Sequence, residues 1–131
     1  MASNLQGLQN LKEKHGKGLY ELIKNKSEKD RKVFFVYGGV DAEQRERVRE
    51  ITEKSDNAII VASYGTFSTG INIRNLHNII FASPSKSRIR NLQSIGRGLR
   101  LGDNKVNATL YDIADDMQYK SKENFTLKHF F

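Results

Sequence analysis

The chain has 131 residues, 37% of them hydrophobic, which suits a single domain over 1–131 with a real core. It has no cysteine, which excludes a disulfide scaffold and fits a reducing interior. No apolar run nears the ~18 residues of a membrane span, and the opening M-A-S-N-L-Q lacks the pattern of a signal peptide, so a soluble, cytoplasmic protein is expected. A formal net charge of +7 and a pI near 9.7 favour an anionic partner, nucleic acid or nucleotide phosphate ahead of a membrane.

Residues 1–26 carry Leu5, Leu8 and Leu11, then Leu19, Leu22 and Ile23, at spacings that suit helix, with a break expected near Gly16 and Gly18. Residues 19–26 read as a helix packed on a sheet, and 27–32, S-E-K-D-R-K, as a charged connection. Residues 33–37, V-F-F-V-Y, form a short apolar run ended by Gly38 and Gly39, the pattern of a buried strand. Asp41 with Gln44 makes a capping box, which starts a helix running to about Lys54. Val48 and Ile51 mark its inner face, while Glu43, Arg45, Glu46, Arg47, Arg49 and Glu50 alternate in sign and belong to solvent. Residues 57–62 are nearly all apolar, as parallel strands covered on both faces tend to be. Two strands around a helix make a right-handed βαβ unit, so the class is α/β with a mainly parallel sheet and helices on both faces. Ligands collect at the carboxyl ends of such strands.

Residues 63–75 are one of those ends. Ser63, Tyr64, Thr66, Ser68 and Thr69 supply hydroxyls, and Gly65 and Gly70 leave backbone N–H groups unshielded, a turn suited to phosphate oxygens. Residues 77–82, H-N-I-I-F-A, read as a third buried strand, and a basic helix begins at Lys86. On that helix Gln93, Arg97 and Arg100 share one face, which Arg90 extends by a turn, and Ile89, Leu92 and Leu99 lie about 100° round as the expected buried side. Gly96 and Gly98 each cost about 1 kcal/mol against Ala inside a helix, so this segment either frays or admits a close neighbour. Residues 107–113 read as the last strand and 119–131 as the start of a C-terminal helix. Asp112, Asp115 and Asp116 look like a strand-end turn rather than a magnesium site, and His15, His77 and His129 are too scattered for a metal.

Residues 93–100, Q-S-I-G-R-G-L-R, fit the Q-x-x-G-R-x-x-R pattern of motif VI in superfamily 2 helicases, and residues 59–73, I-I-V-A-S-Y-G-T-F-S-T-G-I-N-I, resemble motif V of that superfamily, in the same order. Over residues 15–116 the chain is most like the C-terminal RecA-like domain of the UvsW-type helicases of T-even phages. The resemblance implies that Arg97 and Arg100 are arginine fingers beside Gln93, that Gly70, Asn72 and Gly96 face the nucleotide, and that Ser63, Thr66, Arg74 and Arg90 face a nucleic-acid backbone. Many of these helicases have Asp where this chain has Asn72. A charge-based contact is then lost, but an amide can still bond a ribose hydroxyl. An arginine seven residues after a glycine also recurs in the family, which Gly38 and Arg45 match.

Two departures qualify the resemblance. The chain has no phosphate loop and no acidic magnesium box, so it is expected to be inactive alone. ATP and Mg2+ would be held in the complete two-domain enzyme, with an N-terminal RecA-like domain supplied in cis or in trans. The family's first strand is also missing. Residues 1–14 contain no β-branched residue and are expected to be helical or irregular, leaving a sheet edge that a second copy could fill as a homodimer. The nucleic acid would be DNA, or RNA. The alternative is a free-standing module that binds nucleic acid or a helicase partner without catalysis.

Overall fold

The structure is a computed structural model that describes residues 2–83, 88–100, 105, 107–113, 115–118 and 124–127. It divides into two compact units, residues 1–72 and 73–131.

In the first unit α1 (Ala2–Lys26) is one continuous helix, so the expected break at Gly16 and Gly18 does not occur. The reason is packing. Gly16, Leu19, Tyr20 and Ile23 are the half-buried stripe of the helix, and a Cβ on Gly16 would stand 2.9 Å from Phe35 Cε2. The glycine that weakens the helix is the one that lets it lie close to the sheet. Residues 2–14 are helical, one of the two outcomes expected of them.

β1 (Val33–Val36) and β2 (Ile59–Ala62) pair in parallel, with Val33 opposite Ile59 and Val36 opposite Ala62. Between them runs α2 (Ala42–Glu53), whose N-cap is Asp41: its carboxylate accepts the Gln44 N–H at 2.8 Å. Val36, Val61 and Ile71 are buried. The rest of the two strands is only half-buried, less covered than their composition suggests. The charged residues of α2 form a ladder, Glu43 with Arg47 in the open and Arg49, half-buried, with both Glu46 and Glu53. Residues 63–70 depart from the expected turn: α3 (Tyr64–Gly70) is a short helix.

In the second unit β3 (Asn78–Phe81) pairs in parallel with β4 (Thr109–Asp112), and α4 (Arg88–Gly98) joins them. β3 is not the buried strand its composition implies. Only the face carrying Ile79 and Phe81 is covered, by α4 among others, whereas Ile80 and its cross-strand neighbour Tyr111 are exposed at 61% and 52%. β5 (Asp115–Gln118) and β6 (Asn124–Leu127) form an antiparallel pair. Asp115 and Asp116 are therefore in a strand rather than a turn. Residues 124–127 are strand where a C-terminal helix is expected: N-F-T-L alternates polar with apolar, a period of two that outweighs the aromatic content read as helical. The remainder of that expected helix lies outside the described residues.

Candidate functional site

One candidate region, in the first unit, grows from the carboxyl end of β2. The Ser63 N–H donates to Val36 O, which extends the β1–β2 ladder by one bond. Ser63 then takes the extended backbone of an N-cap, φ −71° and ψ 150°. Its Oγ accepts the Thr66 N–H at 3.3 Å and donates to Thr66 Oγ1 at 2.8 Å. Thr66 is itself buried. The two hydroxyls expected to face a nucleic-acid backbone thus bond each other and start α3, and Ser63, half-buried, is the more accessible of the pair. Gly70 closes α3, and Asn72 follows as an exposed amide after buried Ile71. Arg45, seven residues beyond Gly38, donates from Nη2 to the Gly38 carbonyl at 3.2 Å, so that family spacing has a structural use: it ties α2 to the turn after β1.

A second candidate region, in the second unit, is α4. Gln93 and Gly96 are exposed on the helix and Arg97 is half-buried, while Arg100, expected on the same helical face, lies exposed in the bend after Gly98. Burial, and then the neighbouring Arg100 charge, pull the Arg97 guanidinium below its ordinary value. Two guanidinium groups three residues apart repel, and an anion between them would relieve that cost. Arg74, at the start of the same unit, is exposed, and Arg90 lies within α4, its side chain outside those described.

The buried face of α4 overturns an expectation. Ile89, Leu92 and Leu99 are exposed, Leu99 at 72%, whereas Asn91 and Ser94 are fully buried. Gly98 is also buried, and a Cβ there would fall 2.5 Å from Ile79 Cδ1. Small and polar residues at 91, 94 and 98 recur at helical spacing, and their size lets the helix close on β3. The close neighbour that Gly98 admits is therefore the chain's own strand.

One residue was not singled out from the sequence. Lys105 Nζ donates to Gly98 O and, at 2.9 Å, to Arg100 O, satisfying carbonyls at the end of α4 just where Arg97 and Arg100 sit. Its burial lowers its pKa. A lysine shortly after a helix C-terminus is the only sequence signal for such a cap.

Residues 8–102 match the family described as "Helicase conserved C-terminal domain". The ATP-dependent DNA helicase uvsW of Enterobacteria phage T4 is similar to the chain, 44% identical over 116 residues, covering 88% of the chain and 22% of that helicase. The chain thus spans about a fifth of the length of this relative. No solved structure matches.

Proposed function

The chain belongs to the helicase conserved C-terminal domain family, with its RecA-like α/β fold, and from that premise we propose that it is the C-terminal half of an ATP-dependent superfamily 2 DNA helicase. The observation that carries this reading is the set of Gln93 and Arg97 on α4 and Arg100 just beyond its end, with Arg97 partly desolvated, in a chain 44% identical to a DNA helicase.

The polyphosphate of ATP fits the stripe, because the Arg97–Arg100 repulsion is what an anion would offset. Held with magnesium by an N-terminal RecA-like domain, ATP would supply the transferable γ-phosphoryl group. On this reading the magnesium ligands belong to the other domain. Arg97 and Arg100 act by neutralising charge that develops on the phosphoryl oxygens. Gln93 offers an amide that can donate to an oxygen and accept from water. Lys105 positions both arginines by holding the last carbonyls of α4. Asn72 and the Gly70 backbone serve the nucleotide, while Ser63, Arg74 and Arg90 meet the DNA backbone. The homodimer expected from an incomplete sheet gains no support from the relatives. Among the described residues no helix is long and apolar enough to cross a membrane.

ATP hydrolysis by the chain mixed with a matching N-terminal RecA-like domain, with and without single-stranded DNA, tests the reading. Arg97→Ala or Arg100→Ala should lower the rate by about 10³ to 10⁵. Lysine at either position should rescue little, since it lacks the planar fork. No hydrolysis in any mixture, with salt-sensitive DNA binding by the chain alone, would overturn the catalytic reading in favour of a binding module.

A further inference from the structure

Where α1 crosses β1, three aromatic rings lie in a row. Tyr20 stacks on Phe35 with centroids 5.9 Å apart and planes 21° off parallel, and Phe35 stacks on Tyr37 at 5.0 Å and 28°. All three are half-buried. Beside Phe35 and Tyr37 opens a groove of about 430 Å³, lined also by Glu13, Lys14 and Lys17 of α1. That size falls within the range of roughly 300–1,000 Å³ typical of small-ligand clefts. Lys24 lies over the Tyr20 ring, its Nζ 5.6 Å from the centroid. Two glycines keep the row in place: a Cβ on Gly16 would stand 2.9 Å from Phe35, and one on Gly39 would stand 2.6 Å from Tyr37.

We propose that this groove is a single-stranded nucleic-acid site, in which a base stacks on Tyr37, the end ring of the row, while Lys14 and Lys17 meet the phosphates. Aromatic faces flanked by cations are the two parts such sites combine, and stacking accepts any base because every base has a π-face. Duplex DNA is a poor occupant, since its base faces are already stacked. Charge complementarity also selects an anion: of the three charged residues lining the groove two are lysines, and the whole chain carries +7. The groove shares no lining residue with the Ser63–Thr66 pair. It takes from the helicase reading only that a single strand is a partner.

The test is fluorescence anisotropy of the full chain with fluorescein-labelled dT20 and with an abasic strand of the same length. Stacking predicts that the abasic strand binds at least about fivefold more weakly than dT20. Tyr37→Leu should weaken dT20 by a similar factor and leave the abasic strand unchanged. Lys14→Ala with Lys17→Ala should flatten the dependence of log K on log salt by about 1.4. The chain has no tryptophan, so quenching of tyrosine emission by dT20, reduced in Tyr37→Leu, reads the contact directly. Equal affinity for the two strands overturns the proposal without any variant having to fold. So does a Tyr37→Leu effect equal on both strands, or no binding of dT20 at all. None of these outcomes bears on the loss of hydrolysis in Arg97→Ala, on which the helicase-half reading stands.

Discussion

Gly98 is where α4 and β3 come closest, and a double-mutant cycle with Ile79 measures that contact. Gly98→Ala should gain about 1 kcal/mol of helix propensity. The new Cβ would lie 2.5 Å from Ile79 Cδ1 and 3.9 Å from Ala108 Cβ, so the δ-methyl must move. Overpacking of this kind costs about 1–3 kcal/mol, which leaves the single variant destabilised by roughly 0–2 kcal/mol. Ile79→Val removes the offending methyl at a cost of about 0.5 kcal/mol, the low end because Ile79 is only half-buried. In the double variant the clash is gone and the propensity gain remains, so it should be about as stable as the wild type or better by roughly 0.5 kcal/mol. The coupling is then about 1–3 kcal/mol, above the 0.3–0.5 kcal/mol within which independent sites add. Urea unfolding followed by far-UV circular dichroism at constant m-value gives all four free energies. Additivity within about 0.5 kcal/mol would refute the packing of α4 on β3 through Gly98.

Three further perturbations separate packing from function. Leu99→Gln should change stability by no more than about 0.5 kcal/mol because the side chain is exposed; a loss of 2 kcal/mol or more, as for a buried leucine, would reverse the assigned face of α4. Ser63→Ala should cost about 1 kcal/mol as a lost N-cap, whereas Ser63→Asp keeps the cap and sets a negative charge against any phosphate, so it should retain the melting temperature and weaken DNA binding. Undiminished DNA binding by Ser63→Asp would confine Ser63 to capping. Glu46 is held below its ordinary value chiefly by the hydrogen bond from Arg49. A depressed carboxylate stabilises fully above its unfolded value of 4.5 and loses that contribution as pH falls through the folded value. The melting temperatures of wild type and Glu46→Gln should therefore converge below pH 4.5; a gap that is constant down to about pH 3 would count against the pairing. The gap is small because the pair is exposed.

Local signals made much of the first unit legible. Asp41 with Gln44 placed the start of α2, and the apolar runs around Phe35 and Ile60 placed two parallel strands, because capping and strand chemistry are written in adjacent residues. The hydroxyls of residues 63–69 were legible as a cluster and not as a helix. Ser63 and Thr66 are as apt to close a cap on each other as to meet a phosphate, and the 2.8 Å bond between them shows that the cap is made in the chain by itself. Gly16 misled for a related reason. Propensity counts its cost to the helix and is blind to the ring of Phe35 that occupies the space of its missing Cβ.

α4 shows what hydrophobic periodicity leaves open. The pattern placed a helix over the right residues and a stripe of arginines on one face, and it chose Ile89, Leu92 and Leu99 as the inner side because apolar groups seek burial. The structure turns the other way, with Asn91, Ser94 and Gly98 inward. Burying Ser94 Oγ without a hydrogen-bond partner among the described residues costs on the order of 1–3 kcal/mol, so the arrangement needs an offsetting gain. Close approach supplies it. A helix that meets a strand through Gly98 brings its backbone within contact of Ile79, and the buried area of Ile79 and Phe81 is gained from a surface that leucines would hold further away. Side-chain volume at three positions, rather than the sum of hydrophobicity along a face, therefore decides which way α4 turns. That same rotation leaves Gln93 and Arg100 in solvent and Arg97 at its edge, where a charged ligand can reach all three.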